Sequence, residues 1–128
     1  MASIQLLGIH HVSVVVADTS KSLSFYEGVL GLECDPSRPE MAYPGAWLWL
    51  GSQQQLHLLE VDNPDSVTDR PEHGGRDRHL ALAVGDLSAA EERLDAAQVS
   101  FTKSASGRAA LFCRDPDGNA VELIEQKI

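Results

Sequence analysis

The sequence predicts an α+β fold made of two copies of one strand–helix–strands unit, and three observations carry that reading. A histidine opens an apolar, strand-like run that closes on an aspartate at His11–Asp18, and the same plan returns 68 residues later at His79–Asp86. Helical spacing follows each aspartate, and short strand-like segments follow each helix. The last strands correspond as well: Leu56-His57-Leu58-Leu59-Glu60 matches Val121-Glu122-Leu123-Ile124-Glu125 at an offset of 65. Strand, helix and about three strands, written twice, describe two βαβββ modules that share a core. A single domain over 1–128 then divides into module one at about 8–61, a linker at 62–75 and module two at about 76–126.

Residues 10–16 are apolar and β-branched, which predicts the first strand. Asp18 or Thr19 is placed to cap a helix with Leu23, Tyr26 and Leu30 on one face, and Gly31 to stop it. After the turn-rich 35–39, two strands are expected at 46–50 and 55–60, joined at Gly51-Ser52. Residues 61–75 carry acids, prolines and glycines without apolar period and predict a linker or mobile loop. Beyond the strand at 79–84, Leu87, Ala90, Leu94 and Ala97 share a helix face, with Ser88 and Glu91 at capping-box spacing. Short strands at 99–102 and 109–114, a tight turn at 115–119 and a last strand at 120–125 complete the chain.

A chain of 128 residues with 43% apolar content can bury a sizeable core. Its net charge of −9 argues against nucleic acid and anionic membrane surfaces as partners. No apolar run is long enough to cross a bilayer, and Met1–Leu7 lacks a basic leader, so the cytoplasm is the expected location. Cys34 and Cys113 read as reduced, structural thiols.

Strand side chains alternate faces, so parity sorts these segments. His11, Ser13 and Val15 oppose Val12, Val14 and Val16; His79, Ala81 and Ala83 oppose Leu80, Leu82 and Val84. His57 and Glu122 likewise stand opposite their leucine and valine neighbours. Each would be unremarkable alone, since a single histidine or glutamate on a strand usually just faces solvent. Together, His11, His57, His79 and Glu122 fall at repeat-equivalent places on the face that the aliphatic rows leave free. Three imidazoles and one carboxylate suit a divalent transition metal of borderline softness (zinc, nickel, iron, cobalt or manganese) with positions left for water or a chelating substrate. Ser13, Trp47, Trp49, Arg78 and Arg108 are candidate substrate-binding residues, the tryptophans because Leu48 and Leu50 would take the core face. His10 has the wrong parity, and His73 falls in the loop.

Four segments, Ile9–Val14, Ser24–Leu32, Arg78–Val84 and Arg114–Leu123, resemble the vicinal oxygen chelate superfamily as a set. That superfamily holds glyoxalase I, fosfomycin-resistance transferases, methylmalonyl-CoA epimerase, extradiol dioxygenases and bleomycin-resistance proteins. The resemblance implies a cupped, mostly antiparallel sheet with helices outside, often completed by dimerisation, and hence a homodimer acting on a small molecule. It also implies that His11, His79 and Glu122 are metal positions. His57 falls on a fourth position that glyoxalase I fills with Glu and the epimerase with Gln. Val15 and Val61 stand where glyoxalase I carries an Arg and an Asn, which argues against strict lactoylglutathione lyase activity.

The expected function is that of a metal-dependent, glyoxalase-type lyase or isomerase. It would chelate vicinal oxygens of a small substrate and stabilise an oxyanion or enediolate, with Glu122 as the candidate catalytic carboxylate. The alternatives are a fosfomycin-type thiol transferase, an extradiol dioxygenase, and a non-catalytic ligand binder of the bleomycin-resistance type.

Overall fold

Two four-stranded sheets, one from each half of the chain, carry nearly identical connections. The structure is a computed structural model and describes residues 1–127. Module one runs β1 (His11–Val16), helix α1 (Thr19–Leu23) continuing as a π-helix over Ser24–Val29, β2 (Glu33–Cys34), β3 (Gly45–Leu50) and β4 (Gln54–Glu60). Module two runs β5 (His79–Val84), α2 (Leu87–Ala96), β6 (Phe101–Lys103), β7 (Ala110–Arg114) and β8 (Ala120–Glu125). The sheet orders are β1-β4-β3-β2 and β5-β8-β7-β6, with β1 parallel to β4, β5 parallel to β8 and the other pairs antiparallel. The predicted α+β class and its two βαβββ modules are what the structure shows; the sheet is divided into two within the chain.

The repeat extends to single hydrogen bonds. Asp18 and Asp86 cap the two helices with φ/ψ of −149°/108° and −147°/105°, accepting from Lys21 N–H and Ala89 N–H. The predicted capping box at Ser88 and Glu91 is not used, because the helix starts at Leu87 with Asp86 as its cap, accepting the Ala89 N–H. Glu91 pairs instead with Lys103. In each module a glutamate at the end of the last strand accepts the N–H of the first helical residue: Glu60 from Thr19, at 2.8 Å, and Glu125 from Leu87, at 3.1 Å.

Each α-helix or π-helix turns into the next segment through a left-handed residue, Gly31 at φ 78° and Gln98 at φ 58°. Ahead of Gly31 the helix widens, with Leu30 N–H bonding the Phe25 carbonyl five residues back, and it buries the adjacent Phe25 and Tyr26. The leucine spacing predicts the helix but not that widening.

The core forms where the aliphatic faces meet the helices. Leu48, Leu56 and Leu58 of the first sheet, Leu111, Val121 and Leu123 of the second, and Tyr26 and Leu94 of the helices belong to one buried cluster. Each such side chain contributes about 1.5–3 kcal/mol by leaving water. Arg93 of α2 donates to the carbonyls of Gly28 and Val29, tying the second helix to the end of the first.

Arg70 and Pro71, within the segment expected as a linker or mobile loop, are hydrogen-bonded to Asp77 and Arg114. Asp77 accepts two hydrogen bonds from Arg70, at 3.0 and 2.9 Å, and one from Arg114 at 2.8 Å, while Arg114 also reaches the carbonyls of Gly118 and Pro71. Burial alone would raise the Asp77 pKa, but the bonds from Arg114 and Arg70 outweigh it and hold the carboxyl below its ordinary range. The partners lie 7 and 37 residues away, which composition cannot reveal. No helix among the described residues is long and apolar enough to cross a membrane.

Among the described residues, Gln98 is the one position where the chain forces a side chain into left-handed backbone. Replacing Gln98 with Gly should raise stability by about 1 kcal/mol, since only glycine adopts that conformation freely. Chemical denaturation of both proteins measures it, with an unchanged slope and a shifted midpoint expected.

Candidate functional site

His11 and His57 meet on the polar face of the first sheet. The parallel pairing of β1 with β4 sets His11 opposite Gln55 and Ser13 opposite His57, and β3 sets Trp47 opposite His57. The three rings form a column: His11 on His57 at 4.1 Å between centroids, and His57 on Trp47 at 4.6 Å, each within 15° of parallel. His10 Nδ1 lies 2.8 Å from His11 Nδ1, so one of these nitrogens donates and the other accepts. Trp49 faces Gln55 across the ladder, on the same side as Trp47.

His79 and Glu122 meet on the second sheet. Ala81 and Phe112 flank Glu122 in the ladder, and the His79 ring stands edge-on to Phe112 at 5.1 Å. His79 Nε2 lies 3.1 Å from Glu122 Oε1. Glu122 Oε2 accepts from Arg108 at 3.3 Å, and Arg108 is braced in turn by Ser106 Oγ at 3.1 Å. Glu122 is 4% exposed, and a carboxylate so buried requires such partners. Arg78 points elsewhere: it is exposed and pairs with Asp65.

The second pair has a definite electrostatic demand. His79 Nδ1 lies 2.8 Å from the Asp77 carbonyl, which only accepts, so Nδ1 carries a proton. A neutral ring then turns the lone pair of Nε2 toward a carboxylate oxygen, and two acceptors at 3.1 Å repel. A proton held by either atom, or a metal ion between them, resolves the contact. An imidazole nitrogen and a carboxylate oxygen so placed are donors of the kind a divalent transition metal takes.

One chain does not gather all four groups. Among the described residues, no set of three or more His, Cys, Asp or Glu is arranged to hold a metal. His11 with His57, and His79 with Glu122, stand as two pairs on separate sheets. The groove between the modules, about 920 Å³, is lined by Val12, Leu30, Leu80, Leu82 and Ala90 among others, and by none of the four. Burial first, then Asp115, raises Cys113 to about 12, and burial with Glu27 raises Cys34 to about 11, so both are protonated.

Parity alone overlooks several neighbours. Gln55, two residues before His57 on the same face, lies 2.9 Å from His57 Nε2 through its Oε1. His73 reaches Thr102 Oγ1 at 2.7 Å and stands edge-on to Phe112 at 4.9 Å, beside the second pair. Extending the parity test two residues upstream of each histidine would have found Gln55 and Asp77; nothing local marks Phe112 or His73.

The model of the Glyoxalase/Bleomycin resistance protein/Dioxygenase superfamily matches residues 8–123, and the chain belongs to that superfamily. An uncharacterized protein of Bacillus subtilis, YwkD, is 32% identical over 127 residues, covering 94% of this chain and 98% of the relative. The lactoylglutathione lyase of Haemophilus influenzae is 31% identical over 124 residues, covering 91% of each. An antibiotic-binding protein from Streptomyces shares the fold, with a TM-score of 0.73, 24% identity and coverage of 98% of this chain and 100% of that one.

Burial, and then the proximity of His11 and His10, lowers the His57 pKa, and the opposing pull of Asp35 is smaller. His57 should titrate by NMR below the ordinary histidine value of about 6.5 and hold a free lone pair at neutral pH. A midpoint at or above that value would contradict this account of the ring's surroundings.

Proposed function

We propose that the chain is a cytoplasmic, divalent-metal-dependent enzyme of the glyoxalase type, whose metal site is completed by two copies of the chain. The observation that carries the reading is the facing of His79 Nε2 and Glu122 Oε1, with His79 Nδ1 already committed to a carbonyl. His11 and His57 of one protomer would complete the ligand set with His79 and Glu122 of the partner subunit. Edge strands support the pairing: among the described residues β1 pairs in a sheet with β4 alone and β5 with β8 alone, so each has a free ladder edge. The exposed Ile4, Leu6, Leu7 and Ile9 lead directly into β1 and add apolar surface for a partner.

When bound, the metal would supply a Lewis acid for two neighbouring oxygens of a small substrate and stabilise negative charge developing there. The residues divide the remaining work. Arg108 holds Glu122 in place and offsets its charge, and Trp47 packs one face of His57 so that the ring keeps its orientation. Ser13, beside His57 on the open face, can hydrogen-bond a substrate oxygen. Glu122 has the one carboxylate among the proposed ligands and would be the group able to hold a proton during the reaction.

A non-catalytic ligand binder is the second reading, favoured by the split of the four groups between two sheets. Mixed dimers decide between them. One chain carries His11→Ala with His57→Ala, and the other carries His79→Ala with Glu122→Ala. Neither homodimer should retain metal, whereas the mixed dimer should regain one ion per dimer, because one shared site is then intact. Less than about 0.2 metal equivalents per wild-type chain, or no recovery in the mixed dimer, would count against the proposal.

A further inference from the structure

We infer that Asp35 and Gln55 form a polarised relay that fixes His57 in its Nε2–H tautomer and leaves Nδ1 as the nitrogen free to ligate. The assignment of Nδ1 to a metal rests on the proposed function; the tautomer does not.

The relay starts at the turn after β2. Asp35 Oδ1 accepts the backbone N–H of Ser37 at 2.9 Å and its hydroxyl at 2.7 Å. Asp35 Oδ2 accepts from Gln55 Nε2 at 2.8 Å. A carboxylate offers no proton, so the Gln55 amide has one permitted orientation: reversed, it would set its oxygen against Asp35 Oδ2. Gln55 is 8% exposed, which leaves little room for water to relax that choice. With Nε2 of Gln55 committed to Asp35, its Oε1 faces His57 Nε2 at 2.9 Å and can only accept. His57 must therefore donate from Nε2. Each link is forced by the one before it, back to the two donors of Ser37.

In Asp35→Asn, the two Ser37 donors keep the carboxamide oxygen, so its NH₂ points at Gln55. The Gln55 amide must then reverse, presenting its own NH₂ to His57 Nε2, which becomes an acceptor. The proton moves to Nδ1, and the nitrogen proposed to ligate is blocked. Adding Gln55→Glu restores the original direction, because a carboxylate accepts from position 35 and from His57 Nε2–H alike.

Long-range ¹H–¹⁵N NMR of metal-free protein at about pH 8, where an imidazole is neutral, reads the tautomer directly. Wild-type His57 should show a protonated Nε2 and a bare Nδ1; Asp35→Asn should invert the pattern, and the double variant should restore it. Zinc affinity should fall about 10–100-fold in Asp35→Asn, the usual effect of losing a ligand's orienting partner, and recover in the double variant. A wild-type His57 protonated at Nδ1, or a tautomer unmoved by Asp35→Asn, overturns the relay whether or not metal binds. The expected tautomers in a chain that takes up no zinc would uphold the relay and remove the metal reading instead. Recovery in the double variant also shows that the single variant's change is not a folding defect.

Discussion

The buried carboxylate of Asp115 is the constraint on which the joining of the modules depends. It accepts from the Tyr26 hydroxyl at 2.7 Å, from the backbone of Asp117 and Asn119 at 2.9 and 2.8 Å, and from the Asn119 side chain at 2.9 Å. Asn119 also donates to the Val15 carbonyl, and Asp117 accepts the N–H of Ala17. One turn of module two is thus bonded to both the first strand and the first helix of module one. Burial raises the Asp115 pKa while the Asn119 and Tyr26 bonds pull it down, and burial wins. Burial, then Asp115, likewise raises the Tyr26 hydroxyl, so this group remains a donor at any ordinary pH. A carboxylate that has lost water tolerates few rearrangements of its donors, which fixes the modules relative to each other.

That fixed relation separates the two pairs. The helices and aliphatic rows of both modules face a shared core, so the polar rows are left on the opposite faces of separate sheets. Parity identifies those rows from the sequence because it is a local property of each strand. Whether two rows face one another is decided by the packing of whole sheets, and no local pattern contains it.

The same boundary separates what was legible from what was not. The repeat, seven of the eight strands and the cap at Asp18 follow from spacing, turn residues and side-chain chemistry, whereas Asp86, not Ser88, caps the second helix. Strand β2 spans only Glu33–Cys34 and carries no alternation to detect. The π-helical turn follows from burying both Phe25 and Tyr26, one of which must reach Asp115 in the other module. The loop before β5 is ordered by Asp77, whose partners Arg70 and Arg114 look in sequence like ordinary surface charges. Of the anticipated pocket residues, Trp47, Ser13 and Arg108 stand beside the two pairs, whereas Arg78 turns to Asp65.

The two pairs differ in how each orients its histidine, and the difference follows from what stands two residues upstream. At position 77 the acceptor is a backbone carbonyl, which has no alternative polarity and holds His79 by Nδ1. At position 55 it is a side-chain amide, which could accept or donate and so needs Asp35 to set its direction. The two rings are consequently held by opposite nitrogens: His79 has Nε2 available and His57 has Nδ1. Two strands with the same parity and repeat position therefore do not leave the same ring nitrogen free. A pseudo-symmetric fold can build an asymmetric site in this way without altering its backbone, by changing only the neighbour that each imidazole leans on.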